Sequence, residues 1–246
     1  MKQPNYYLLI LFSFLQLTQA VAQSETWYIR RDPPEPWTWC PILNTNMLEM
    51  DEAFGAGGWE SGFYASVDAT EVFDSNTCMV FLEGGDDHAL EFNDFVTANL
   101  SLMEEWVFNG GHLYMNAGAN YGGSINCGFD GVTIVYPSFA GNAEAVDPTH
   151  PIFNGPYLPV GTTWTGPWFA HAEITGPDLI SLLTDPTLST FSLAEKNWGG
   201  GKVIFGGMTV SGWHEPYLES SNMHINILKY LASYAFLDFS YPDSSY

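Results

Sequence analysis

Residues 79–116 read MVFLEGGDDHALEFNDFVTANLSLMEEWVFNGGHLYMN. MVFLE (79–83) is an apolar run that stops at Gly84-Gly85, the pattern of a short strand covered on both faces in a parallel sheet. Beyond it, Phe92, Phe95, Val96, Leu100, Met103, Trp106 and Val107 recur at helical spacing, with Asn99 the one polar residue on that face. The spacing predicts a helix over 88–109. Asp86, Asp87 and Glu91 suit the positive end of its dipole, and Gly110-Gly111 supplies the left-handed residue with which helices commonly end. HLYMN (112–116) is then the next strand. Strand, helix, strand with short links is a βαβ unit, whose crossover is right-handed in nearly all proteins.

On the N-terminal side, TWYIRR (26–31) predicts a first strand. The loop Asp32-Pro33-Pro34-Glu35-Pro36 ends it, since proline neither donates to a ladder nor fits a helix interior. A short helix is expected over 44–54, stopped by the glycines of 55–58, and a second strand over 62–67. On the C-terminal side, residues 118–175 are rich in Gly, Pro and aromatics and read as an elaborated insertion with short strands at 132–136 and 169–175. FSLAEK (191–196) and KVIF (202–205) flank NWGGG (197–201), a hairpin signal. An amphipathic helix over 222–236 closes the domain.

The ends carry different information. Lys2, the apolar stretch 6–17 and the small-x-small site Ala20-Val21-Ala22 read as a Sec-type signal peptide over 1–22, so the chain is expected to be secreted or held at the cell surface. That stretch is too short to span a bilayer, and no later segment replaces it. Residues 23–236 are the length of one α/β domain. With 28 acidic residues against 6 Lys and Arg, the formal charge is −22. Such a surface excludes nucleic acid and anionic lipid as partners, because both need cationic contacts. It suits solubility in a salty setting, or calcium or another divalent cation. Of the three cysteines, Cys40 and Cys127 fall on loops expected at one end of the sheet and Cys78 at the other. A disulfide needs Cα atoms within about 7 Å, so Cys40–Cys127 is the pair expected in an oxidising compartment.

The order of elements resembles the class I glutamine amidotransferase-like fold, through LMEEWVFNGGHLYMNAGANYGG (102–123), DPTHPIFNG (147–155), NWGGGKVIFGGM (197–208) and NMHINILKYLA (222–232). The resemblance implies an α/β, flavodoxin-like domain: a mostly parallel sheet flanked by helices, with the insertion and a C-terminal β-hairpin plus helix. Catalytic members carry a cysteine on a G-x-C-x-G elbow. The matching stretch here is Gly118-Ala119-Asn120-Tyr121-Gly122, so Asn120 takes the nucleophile position, and a carboxamide forms neither thiolate nor thioester. His214 and Glu215 fall where the family places its histidine and glutamate but are adjacent, and neighbours on an extended segment point to opposite faces. Glutaminase activity is therefore not expected. Residues 237–246 resemble a linker into, or the opening strand of, a PKD-like module.

In an open α/β sheet, ligands sit outside the carboxyl ends of the strands. The loops 32–40, 83–88, 118–127 and 209–217 should converge there and present Trp37, Trp39, Asn116, Asn120, Tyr121, Trp213 and His214. Carboxylates, amides and flat aromatic faces suit a sugar or a cation better than a phosphate. Glu83, Asp86, Asp87 and His88 form the metal candidate, with helix capping by either aspartate as the competing reading. Asn120, His214 and Glu215 are the acid–base candidates, against plain loop hydrogen bonding. His150 and His171 read as structural. The expected function is noncatalytic recognition or adhesion, with an extracellular glycan as the partner and no organic cofactor. The alternatives are a hydrolase or carbohydrate-active enzyme similar to the trehalose-utilisation-type relatives of this fold, and a structural spacer.

Overall fold

A computed structural model of the chain describes residues 25–32, 36–37 and 46–234. In chain order the elements are β1 (Glu25–Arg30), α1 (Asn46–Phe54), β2 (Glu60–Phe63), α2 (Ala69–Val72), β3 (Thr77–Gly85), α3 (Ala89–Phe108), β4 (His112–Gly118), β5 (Gly123–Gly128), β6 (Val132–Tyr136) and β7 (Ala140–Ala145). Then follow α4 (Pro151–Asn154), β8 (Thr163–Ala170), β9 (Glu173–Thr175), β10 (Ile180–Asp185), β11 (Thr190–Trp198), β12 (Gly201–Gly206) and α5 (Tyr217–Tyr234). The leader-like residues 1–22, the tail 237–246, Trp39 and Cys40 lie outside the described residues. No helix among the described residues is long and apolar enough to cross a membrane.

The βαβ unit forms as the periodicity predicts. β3 is buried along its whole length, as a strand without a polar face must be. α3 buries Phe92, Phe95, Val96, Met103, Trp106 and Val107 against the sheet. Its C-terminus closes on Gly110, at φ 110°, with the Gly111 amide donating to Trp106 O at 3.1 Å. Gly111 also has a packing reason: a Cβ there would lie 2.3 Å from the Trp106 indole. Neither Asp86 nor Asp87 caps the helix, because His88 holds the N-cap and makes no side-chain capping bond.

The large sheet runs β2-β1-β3-β4-β12-β11-β10-β7-β8. From β2 to β12 every pairing is parallel; from β12 to β8 every pairing is antiparallel. The expected mostly parallel sheet is thus corrected to a mixed one. The physical reason is the hairpin β11–β12: it seats β12 beside β4 and turns the next strand round, and the insertion then extends that edge by antiparallel pairing. The rest of the insertion, β5-β6-β9, makes a separate three-stranded sheet. Its Ile125, Cys127, Val132, Ile134 and Ile174 join the core on the α3 side. The other face of the large sheet packs under α1 and α5, through Met50, Met223, Ile227 and Leu231.

Candidate functional site

Because β1, β3, β4 and β12 are parallel, their carboxyl ends open on the same side of the sheet. Trp37 follows β1, Asp86 follows β3, Asn120 follows β4, and Thr209 and Trp213 follow β12. The β8–β9 connection crosses over them and adds His171. Together with Phe139 and Trp168, the residues Trp37, Asn120, His171, Thr209 and Trp213 enclose a cavity of about 140 Å³. Phe139 and Trp168 are 45 % and 48 % exposed, and their ring centroids lie 6.4 Å apart.

The backbone sets these side chains. Asp86 takes φ 51° and Trp37 φ 63°, left-handed conformations for which Asp is suited and Trp is not. What holds them is Asp86 itself, whose carboxylate accepts from the backbone N–H of Trp37 and from Asn120 Nδ2 at 2.8 Å. Burial, and then the charge of Asp87, raise the Asp86 pKa, while these two hydrogen bonds oppose the rise. One carboxylate thereby ties together two walls of the cavity. His171 is fixed on the other side: its N–H donates to Gly207 O and its carbonyl accepts from Ser138 N, both at 2.8 Å. This crossing needs glycines, since a Cβ on Gly207 would lie 2.3 Å from Ala172 O and one on Gly118 would lie 3.0 Å from His171 Cβ.

The His171 imidazole sits among aromatic rings, with centroids at 4.6 Å for Trp37, 4.9 Å for Phe139 and 6.2 Å for Trp168, all close to perpendicular. Burial pushes its pKa down to about 4. Nδ1 is buried with no hydrogen-bond partner. At neutral pH the cavity therefore holds an uncharged imidazole.

Thr209 and His214 look like a nucleophile and its base, with Oγ1 and Nε2 3.0 Å apart. The surroundings forbid that role. Nε2 also lies 3.0 Å from Phe169 O, a carbonyl that only accepts, so Nε2 carries the proton, and Nδ1 accepts from Ser220 Oγ at 2.9 Å. The Thr209 hydroxyl donates to Trp168 O at 2.9 Å. Burial, then the neighbouring His224, hold the His214 pKa well below the usual imidazole range.

Of the sequence-predicted residues, the structure brings Trp37, Asn120 and Trp213 together in the cavity wall. His214 is corrected from a ligand or catalytic residue to a buried one stacked on Phe169 at 4.1 Å. Glu215 turns outward and accepts from Tyr217 N at 3.2 Å. Asn116 is also removed from the site: its amide clamps Met208, donating to O and accepting from N at 3.0 Å each. Tyr121 stands exposed, edge-on to Tyr136 at 5.8 Å. The metal candidates do not converge. Glu83 is buried and bound by Asn46 Nδ2 and Gly85 N, Asp87 points to solvent, and His88 is buried. Among the described residues no three His, Cys, Asp or Glu side chains gather as metal ligands.

Two further expectations concern Cys127 and the bend after β4. Cys127 is a free, buried thiol in β5, its pKa pushed up to about 12 by burial, and its expected partner Cys40 lies outside the described residues. The bend after β4 leads into β5 and not into a helix, and Asn120 is not among the residues with positive φ. A nucleophile elbow is a strained strand-to-helix turn; Asn120 occupies an ordinary exposed strand-to-strand bend. Phe139, Trp168 and Thr209 are not among the sequence-predicted site residues, and His171, read from sequence as structural, is corrected to a residue of the cavity wall. The signal available for Trp168 and His171 was GPWFAH (166–171), a Trp and a His bracketing Phe in the aromatic insertion and fed by a Gly-Pro turn. That signal does not say which strands its chain crosses.

No protein-family model matches the chain, and no curated protein matches it. Solved structures do. A cytoplasmic protein from Salmonella typhimurium is 17% identical at a TM-score of 0.48, over 84% of this chain and 98% of that one. A ThuA-like protein from Bacteroides uniformis is 10% identical at 0.46, over 85% and 91%. A β-galactosidase from Bacillus circulans is 9% identical at 0.45, over 86% of this chain, which spans 31% of that enzyme's length.

Proposed function

We propose that the domain is a noncatalytic recognition module that binds a sugar at the aromatic-walled cavity at the strand carboxyl ends and acts outside the cell. The observation that carries this is the wall itself: Trp37, Phe139, Trp168 and Trp213 around one concave space, with Phe139 and Trp168 open to solvent beside it. Aromatic faces bury the C–H faces of a pyranose, and an exposed aromatic pair is stable in water only at a cost that a ligand relieves. Against an enzyme, His214 is proton-bearing toward carbonyl Phe169 and lies behind the wall, and the Thr209 hydroxyl is committed to a backbone carbonyl.

Three tryptophans in the wall make intrinsic fluorescence the direct test. Titration with a panel of mono- and disaccharides should change tryptophan emission saturably and raise the Tm, as ligand binding to the native state requires. Trp168→Ala should weaken the best ligand at least tenfold while leaving the unliganded Tm within about 2 °C. If no saccharide at millimolar concentration shifts either signal, the reading is wrong.

A further inference from the structure

The polar inventory of the cavity is small enough to specify a ligand. Beyond the indoles, its wall carries three polar side chains among the described residues: Asn120, His171 and Thr209. Thr209 is already committed, donating to Trp168 O, and so offers the cavity its methyl group. The Asn120 amide has a forced orientation. Its Nδ2 donates to the Asp86 carboxylate, which accepts only, so Oδ1 is left as an acceptor for a ligand, beside the second Nδ2 hydrogen. For His171, 3 % exposed, the buried Nδ1 has no partner. An orphaned N–H is rarer in folded proteins than an under-used acceptor, which assigns the proton to Nε2 and makes that nitrogen the donor available to the cavity. Apart from the indole N–H groups and that second amide hydrogen, the walls thus present one donor, one acceptor and apolar surface. The space, about 140 Å³, is near the roughly 150 Å³ of an apolar cavity that admits benzene. A whole hexose with every hydroxyl bonded does not suit so few polar partners, because each buried hydroxyl left unpaired costs about 1–3 kcal/mol.

We propose that the cavity selects an acetamido group, and hence an N-acetylated amino sugar over its parent hexose. The acetamido carbonyl accepts from His171 Nε2, its N–H donates to Asn120 Oδ1, and its methyl fills the aromatic interior while the sugar ring rests on Phe139 and Trp168 at the mouth. An acetamido group is neutral, which suits an imidazole kept uncharged by burial. A carboxylate ligand would instead meet the field of a chain of formal charge −22.

This inference rests on the sugar-binding reading and can fail separately from it. The full chain is titrated at pH 7 with N-acetylglucosamine, N-acetylgalactosamine, glucose, galactose and glucosamine, followed by tryptophan fluorescence and calorimetry. At least one N-acetylated sugar is expected to bind tenfold or more tighter than its parent hexose. His171→Phe keeps an aromatic wall and removes the donor, and should erase that tenfold preference. His171→Gln, which restores an N–H donor, should recover part of it, and the wild-type ligand series decides the matter should either variant misfold. Equal binding of acetylated and parent sugars, or tightest binding of glucosamine, overturns the acetamido assignment while leaving sugar binding in place. Binding of none of the five, where other saccharides of the wider panel bind, overturns only this inference; silence across the whole panel removes both.

Discussion

At His171 the chain buries a titratable ring whose neutral form the fold prefers. Its folded pKa of about 4 lies below the ordinary 6.5, so the unfolded chain takes up the proton first as pH falls. The contribution is whole above about 6.5 and is lost as pH drops toward about 4, on the order of 3 kcal/mol in all. His214, lowered in the same direction, adds a loss of the same sign. Chemical denaturation at pH 7 and pH 4.5 should therefore show a smaller drop in stability for His171→Phe than for wild type, with a residual drop from His214. Glu195 behaves differently. Burial opposes its charge, but hydrogen bonds from His150, Lys202 and Tyr230 outweigh it and hold the carboxyl at about 2, below the ordinary 4.5. That contribution is complete above about 4.5 and disappears as pH falls through 2. Lys202 donates to Glu195 Oε1 and to Tyr230 OH, joining β12, β11 and α5. Lys202→Met strands a buried carboxylate and should cost about 3–5 kcal/mol in urea unfolding at pH 7. His150, read from sequence as structural, is the N-cap of α4; its reach to Glu195 at 3.6 Å links residues far apart in the chain and has no local signature.

Elements with a period are the ones whose outlines agree with expectation. The helix expected over 88–109 is Ala89–Phe108, and the hairpin around NWGGG pairs Trp198 with Gly201 and Leu193 with Gly206. β7 (AGNAEA) has no β-branched residue, and β5 (GSINCG) has only Ile125 between polar and small neighbours. They are strands because a neighbouring edge offers hydrogen bonds, a tertiary cause that no local pattern reports. The β8–β9 connection is similar: its course over β12 is set by two glycine approaches. Gly207→Ala would place a methyl carbon 2.3 Å from Ala172 O, a backbone-to-backbone clash that no rotamer relieves, and should destabilise by at least about 2 kcal/mol. Gly141→Ala, whose nearest atom is Gly166 O at 3.6 Å, should stay within about 0.5 kcal/mol. Parallel thermal melts of the two variants check the contrast.

For the whole molecule the charge of −22 is a self-repulsion that folding concentrates. Salt shortens the Debye length from about 30 Å at 0.01 M to about 8 Å at 0.15 M, so the Tm should rise by several degrees over that range and then level off. A flat response would mean that the carboxylates are already compensated by bound cations. The charge, the α/β class, the βαβ unit and the end of the sheet at which the cavity lies were all legible in the chain, because composition, helical period and glycine breaks act over a few neighbouring residues. Trp37, Asn120 and Trp213 were legible for the same reason, as loop residues after predicted strands. The mixed direction of the sheet, the withdrawal of Asn116 and His214 into packing, and the arrival of Phe139, Trp168 and His171 at the cavity were settled only in three dimensions. Each depends on which strand lies beside which, and strand neighbours are chosen by hydrogen-bonding edges and by close glycine contacts between segments up to about ninety residues apart, as between Asn116 and Met208.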